Sequence, residues 1–276
     1  MKKIFYLFLT FACIQVGAQE MNVATFNIRY NNPGDGINAW PNRIDMVTGL
    51  LKFYELDIFG LQEALYGQIQ DIESDLPEFE WIGTGRDDAD KKGEFSPIFY
   101  NKNLFTLIEN GQFWLSETPE KPGFGWDSKF NRICTWCKFI QKKTDIEFFV
   151  LNTHFDHIAD TARKNSAILI NKFIAEKNQD NLPVILMGDF NLTPETYPIS
   201  LIKEDFRDSR EISEASPYGP VGTFNGFNHE SPLERRIDYV FVTEKIKVLE
   251  YAVLSDSKKN RYPSDHLPVF VKILFK

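Results

Sequence analysis

Residues 183–194 read PVILMGDFNLTP, from Pro183 to Pro194. Val184, Ile185, Leu186 and Met187 form an apolar run bounded by Pro183 and Gly188, the pattern of a strand buried on both faces. A strand of that kind belongs to a sheet covered by other layers. It stops on Gly188-Asp189-Phe190-Asn191, so a carboxylate and a carboxamide stand at its carboxyl end. Residues i and i+2 leave a strand on one side, which predicts that Asp189 and Asn191 project together.

Working outward, the same plan occurs twice. MNVATFNIRY (21–30) reads as a strand with Asn27 near its end. NRIDMVTGLLKFYELD (42–57) reads as a helix with Ile44, Val47, Leu50, Leu51 and Tyr54 on one face, and DIFGLQEA (57–64) as a buried strand ending on Glu63. Later, IEFFVLNTHFDH (146–157) is a strand ending on Asn152 and His154. TARKNSAILINKFIAEKN (161–178) is a helix lined by Ile170, Phe173 and Ile174, and it leads into the strand at 184. Open α/β sheets bind ligands beyond the carboxyl ends of their strands. Asn27, Glu63, His154, Asp189 and Asn191 gather there if the two units pack side by side.

The remaining strand-like segments, GEFSPIFYN, NGQFWLS, RICTWCKFIQ, RIDYVFVT, IKVLEYAVLS and HLPVFVKILF, are joined by short polar turns and read as antiparallel. LYGQIQDIESDL (65–76) reads as a further outer helix. Strands this numerous predict two sheets packed face to face with helices outside both. Asp238 lies in one apolar strand, and Asp265 and His266 precede the last.

Residues 1–18 carry a positive start, an apolar stretch and small residues at Val16-Gly17-Ala18, the pattern of a signal peptide cut before Gln19. The apolar stretch is too short to span a bilayer. Lipid anchoring at Cys13 is disfavoured because Phe11 stands where a small residue is wanted. Export to the periplasm or the extracellular space is the expectation, with residues 19–276 as a single catalytic domain and no transmembrane segment in the mature chain. Losing Lys2 and Lys3, and no acid, moves the formal charge from −8 to −10. Such a surface repels polyanions at long range and disfavours nucleic acid as a partner. Cys134 and Cys137 form a CxxC, but positions three apart on a strand face opposite sides, so core packing is expected rather than a disulfide or a shared metal.

The words FNIR, LQE, NTHFDH, GDFN, IDYVF and SDHLPV, around Asn27, Glu63, His154, Asp189 with Asn191, Asp238, and Asp265 with His266, together resemble the endonuclease/exonuclease/phosphatase superfamily of divalent-metal phosphoesterases. They occur in the family's order over nearly the whole chain beyond residue 18. The resemblance implies an α/β fold, a four-layer α/β/β/α sandwich of two mixed sheets with helices outside, in agreement with the layers read above. RYNNPGDG, GRDD, FWLSETP and RICTW resemble an exported bacterial hydrolase subgroup; Ala89 departs from that subgroup's GRDDG pattern.

Phosphoester hydrolysis needs a cation on non-bridging oxygens, a base for water and donors for the developing charge. Glu63 is the leading metal ligand, with Asn27 and Asp265 beside it, for Mg²⁺ or alternatively Mn²⁺ or Ca²⁺. Asp189 is expected to orient or deprotonate water, Asn191 to hold a phosphoryl oxygen or the metal, and His154 to donate to the transition state. His266 is the candidate base or phosphate contact, and Asp238 accepts a hydrogen bond from one of the histidines. Arg29 and Arg132 are the candidate substrate contacts, with Arg163 in reserve. Trp40 and Trp126 are candidate rim platforms, and His229 a solvated loop residue. The expected substrate is a small or carbohydrate-linked phosphate; the alternatives are a nuclease and a non-catalytic binding module.

Overall fold

The computed structural model describes residues 19–276; the signal-peptide reading and Cys13 lie outside the described residues. Twelve strands are found among the described residues: β1 (Met21–Asn27), β2 (Ile58–Gln62), β3 (Phe79–Ile82), β4 (Ile98–Asn101), β5 (Phe105–Trp114), β6 (Ile133–Gln141), β7 (Ile146–His154), β8 (Val184–Asp189), β9 (Arg207–Asp208), β10 (Asp238–Val242), β11 (Ile246–Val253) and β12 (Val269–Phe275). They form two mixed sheets of six, in the orders β11-β12-β1-β2-β4-β3 and β5-β6-β7-β8-β10-β9. Each sheet has one parallel pair at its centre, β1 with β2 and β7 with β8. These are the two repeated strand–helix–strand units of the sequence.

Helices α1 (Ile44–Phe53) and α2 (Tyr66–Asp75) cover the first sheet; α3 (Asp160–Lys177) and α4 (Tyr197–Ile202) cover the second. Val47, Leu50 and Leu51 of α1 and Ile69 and Ile72 of α2 are buried, as the apolar spacing requires. On α3, Ile170 and Ile174 are buried and Phe173 packs beside them. Three apolar cores result, one between the sheets and one under each helical layer, giving the four-layer α/β/β/α sandwich. Cys137 belongs to the middle core and Cys134 to an outer one, so the CxxC straddles its strand and both thiols are free. The segment 93–101 is strand only from Ile98, since Pro97 has no N–H to pair and Phe95 meets Ala64 in an isolated bridge.

A buried polar network crosses the middle layer. Asn152 of β7 donates from Nδ2 to Leu61 O and to Pro97 O, both at 2.8 Å, and Gln62 Nε2 donates to Asn152 Oδ1 at 2.6 Å and to Thr25 Oγ1 at 2.9 Å. All three side chains are fully buried. Space for Asn152 exists because residue 60 is glycine: a Cβ there would lie 2.6 Å from Asn152 Cγ. Asn152→Ala would remove three buried hydrogen bonds, one to Leu61 O, one to Pro97 O (which keeps the Leu61 N–H) and one from Gln62 Nε2 (which keeps Thr25 Oγ1), each worth about 0.5–1.5 kcal/mol. We expect a loss of about 3 kcal/mol, read from urea denaturation at unchanged slope. A loss below about 1 kcal/mol would show that apolar packing alone aligns the sheets.

Candidate active site

Register places the polar residues. Across the second sheet, His154 of β7 pairs with Asp189 of β8, and Asp189 pairs with Asp238 of β10, so three strands deliver three titratable groups at one level. Gly188 lets the strands close there: its φ is +152°, and a Cβ would stand 2.1 Å from Thr153 O. Facing them, β1 ends on Asn27 and β2 on Gln62, with Glu63 next. The final loop brings Asp265 and His266.

Three site residues adopt left-handed backbone conformations just beyond strand ends: Arg29 (φ 55°), Glu63 (φ 59°) and Asn191 (φ 52°). For arginine and glutamate this costs roughly 1–2 kcal/mol each, and it turns the side chains sharply off the strand line. Asp189 and Asn191 therefore meet for a reason other than alternation. The strand stops at Asp189, whose Oδ1 accepts the Asn191 N–H at 2.9 Å in an Asx-type turn, and Asn191 Nδ2 lies 3.1 Å from His154 Nε2.

Asp189 is the hub. Its Oδ2 lies 3.0 Å from Asn27 Nδ2, 3.5 Å from His154 Nε2 and 3.8 Å from His266 Nε2. Burial, reinforced by Asp238, raises its carboxyl to about 7. The histidine paired with Asp238 is His266, with Nδ1 2.9 Å from Asp238 Oδ2. Burial alone would discharge that imidazole, but Asp238 and Asp189 outweigh it and hold the pKa at about 10. Asp238 Oδ1 is buried without another partner, so the carboxylate is compensated chiefly by the imidazolium. His154 goes the other way. Burial, then Arg132 and Arg86, lower its pKa, so the ring is neutral with one N–H to offer.

Glu63 Oε2 accepts the Tyr30 N–H at 3.2 Å and faces Arg29, 3.7 Å away; Asp265 Oδ2 stands 4.0 Å from the same arginine. Burial raises the Asp265 carboxyl, and Glu63 adds to the rise. A pair of partly desolvated carboxylates that suffer one another's charge suits a hard divalent cation. Asp189, Asp238 and His266 also present ligand atoms within 4.8 Å of one another. A charged imidazole already bonded to a carboxylate does not coordinate metal, so the Glu63–Asp265 side fits the cation better. Asn27, expected among the ligands, has Oδ1 on the Arg29 N–H at 3.0 Å and gives Nδ2 to Glu63 and Asp189. It bridges the two carboxylates from the opposing sheets instead of presenting an oxygen to a cation.

A cleft of about 590 Å³ opens over these groups, lined by Arg29, Glu63, His154, Asp189, Asn191, Asp265 and His266. Arg132 lines it too, 6% exposed, with Nη2 3.1 Å from His157 Nδ1 and both Nε and Nη1 lacking hydrogen-bond partners. Arg163 stands behind, its guanidinium on the carbonyls of His157 and Asn191. Trp40 is buried with Nε1 on Asp71, and neither Trp40 nor Trp126 lines the cleft. The lining aromatics are Tyr30, Phe130 and Phe224. His229 is exposed and lies away from the cleft, stacked on Tyr262.

Three contributors escaped the sequence reading. Glu94 lines the cleft, paired with Arg86 at 2.6 Å and 4.0 Å from His154 Nδ1. Its carboxyl is raised by burial, and Glu63 adds to the rise. The GRDD…GE spacing was the available signal. Arg43 is 1% exposed and donates to the carbonyls of Ile28, Arg29, Asn38 and Pro263, tying the β1 exit loop to the loop that carries Asp265. Burial pushes its pKa down to about 10. The third, Arg235, is exposed and lines the cleft.

The profile of the Endonuclease/Exonuclease/phosphatase family matches residues 24–266. Among solved structures, an endonuclease/exonuclease/phosphatase family protein from Bacteroides thetaiotaomicron is 39% identical, with a TM-score of 0.89, over 94% of this chain and 99% of that one. A mannosyl-6-phosphatase from the same organism is also 39% identical, with a TM-score of 0.88, over 92% of this chain and 100% of that one. An uncharacterized protein of Acanthamoeba polyphaga mimivirus is 28% identical over 91% of this chain and 99% of its own length.

The Asp238–His266 pair is open to direct titration. Asp238→Asn removes a charge that holds the imidazolium, so the His266 pKa should fall from about 10 by at least ~1 unit, read by NMR of the ring protons. An unmoved titration would show that Asp238 does not hold that proton.

Proposed function

The chain belongs to the endonuclease/exonuclease/phosphatase family, whose members are phosphoester hydrolases using a divalent metal, and from that premise we propose that it is a phosphatase or phosphodiesterase acting on a small or carbohydrate-linked phosphate. The observation that carries the reading is the convergence on one cleft of His154 and Asp189 from one sheet, Glu63 from the end of β2 in the other, and Asp265 and His266 from the loop before β12, with His266 held by Asp238 of β10. The acidic chain, at −8, supports a small substrate over a polyanion. So does likeness to a protein described as a mannosyl-6-phosphatase. Export, argued from the charge and hydropathy of residues 1–18, belongs to the same proposal, and no described helix is long and apolar enough to cross a membrane.

In this reading Glu63 and Asp265 hold the divalent cation, which when bound supplies Lewis-acid neutralisation of a phosphoryl oxygen. Asp189, with a carboxyl raised toward neutrality, orients water and takes its proton. Asn27 and Asn191 fix that carboxylate from two sides. The His266 imidazolium, locked by Asp238, and the neutral His154 offer N–H groups where charge builds on the phosphoryl oxygens. Arg29 and Arg132 complete the anion contacts. Each lost donor is worth ~10²–10³ in rate at such sites.

Chelation should abolish hydrolysis and Mg²⁺ or Mn²⁺ restore it. Full activity in excess chelator would overturn the metal role. His154→Ala and His266→Ala should each lower kcat by ~10² or more, with His229→Ala within about twofold of wild type. On a panel of sugar phosphates, inositol phosphates, lipid phosphodiesters, DNA and RNA, phosphate release from a small substrate is expected. Efficient nucleic-acid cleavage that weakens with salt and vanishes in Asp189→Ala would establish the nuclease instead.

A further inference from the structure

Four arginines line the cleft, and three stand within salt-bridge distance of the protein's own carboxylates, although Arg132 keeps Nε and Nη1 without hydrogen-bond partners. Arg29 faces Asp35, Glu63 and Asp265, Arg86 holds Glu94, and Arg132 lies against His157 and Asp156. Arg235 differs. It is exposed, lines the cleft, and its side chain has no ion-pair or hydrogen-bond partner among the described residues. In a chain with excess acid, a guanidinium left free at the mouth of an anion-binding cleft lacks a folding explanation.

Its position is nevertheless well held. The backbone N–H groups of Thr223 and Phe224 both donate to Arg235 O, at 2.9 and 3.3 Å, and Leu267 N donates to Thr223 O. Phe224 forms a bridge with His266, and its ring meets the imidazole edge-on at 5.1 Å. Arg235 Cζ sits 5.5 Å from the same ring centroid. Phe224 thus braces Arg235 one ring away from His266, at a place fixed relative to the reacting phosphoryl group yet outside the groups that bind it. Cation–π contact restrains the guanidinium plane while its N–H groups stay open to the cleft.

We propose that Arg235, braced by Phe224, is a specificity residue that reads hydroxyl groups on the leaving-group side of the substrate, selecting a polyhydroxylated leaving group of monosaccharide size. This rests on the phosphoester-hydrolase reading above and deepens it. A guanidinium fork donates to vicinal hydroxyl oxygens in one plane. A nucleoside leaving group would want a free aromatic face, and each of the three aromatics at the cleft already carries a guanidinium: Tyr30 that of Arg29 at 4.3 Å, Phe130 that of Arg132 at 5.8 Å and Phe224 that of Arg235 at 5.5 Å. The cleft volume of about 590 Å³ is ample for a phosphate and one sugar ring.

The test separates leaving-group recognition from phosphoryl binding. Full-length protein with Mg²⁺ is assayed on mannose 6-phosphate, glucose 6-phosphate, AMP, methyl phosphate and bis-p-nitrophenyl phosphate, with inorganic phosphate as competitive inhibitor. Arg235→Gln should raise KM for the favoured hexose phosphate ~10- to 100-fold, the range for losing hydrogen bonds to a charged donor, with kcat within about twofold. Methyl phosphate turnover and phosphate inhibition should be unchanged, and Arg235→Lys should recover only part of the loss. An unaltered hexose-phosphate KM overturns the assignment. So does a parallel rise in the phosphate inhibition constant, which would put Arg235 in the phosphoryl subsite, and so does an equal loss on AMP. Wild-type cleavage of methyl phosphate or the diester without hexose phosphates overturns this inference and leaves the hydrolase reading standing. Cleavage of none of them removes the reading beneath it.

Discussion

Asn152 reaches from the second sheet to carbonyls of the first, and a buried amide in that position has few ways to be satisfied. Its hydrogen bonds to Leu61 O and Pro97 O, with Gln62 and Thr25 closing the network, hold only at one relative placement of the two sheets. Apolar side chains on either side, such as Ile58, Ile98, Val150 and Met187, would pack nearly as well after a small slide. A half-satisfied amide would not survive that slide cheaply. The network lies next to the carboxyl ends of β1, β2 and β7, so the alignment it imposes sets how far Glu63 stands from Asp189. Asn27, donating to both, spans that gap.

The candidate site's geometry is concentrated where the strands stop. Left-handed conformations at Arg29, Glu63 and Asn191 are locally unfavourable, and each persists because surrounding bonds over-determine it. Arg43 holds the backbone on either side of Arg29, the Tyr30 N–H anchors Glu63, and Asp189 Oδ1 receives the Asn191 N–H. Strain at these positions is balanced by the sandwich, which is how a rigid scaffold can present flexible residue types in one arrangement.

Electrostatically the cleft is mixed, its four arginines facing four carboxylates, Glu63, Glu94, Asp189 and Asp265. The chain carries excess acid, yet Arg29, Arg86, Arg132 and Arg235 converge with His266 on one opening. Burial divides the titratable groups into opposite classes: Asp189, Glu94 and Asp265 rise, His154 falls, and His266 rises because two carboxylates face it. A neutral and a charged imidazole on either side of one carboxylate give the site distinct donors at a single pH.

Periodicity alone determined much of this protein. The apolar runs ending at Asn27, Glu63, His154 and Asp189, and the helical faces of α1, α2 and α3, follow from one-dimensional patterns because each element buries its own face locally. The opposite-facing Cys134 and Cys137 follow in the same way. The words around Glu63, His154, Asp189, Asn191, Asp265 and His266 name residues that the fold gathers along one cleft, with Asn27 and Asp238 bonded to them from behind. What tertiary structure decided depends on partners distant in the chain. That His266 pairs with Asp238, that Asn27 bridges two carboxylates, and that Trp40 turns inward to Asp71 are settled by register and loop paths. Glu94, Arg43 and Arg235 escaped notice as site residues because each takes its role from neighbours outside its own periodic element: Glu94 from His154, Arg43 from the carbonyls of Ile28, Arg29 and Pro263, and Arg235 from Phe224. A loop side chain acquires its role from whichever element the fold sets beside it.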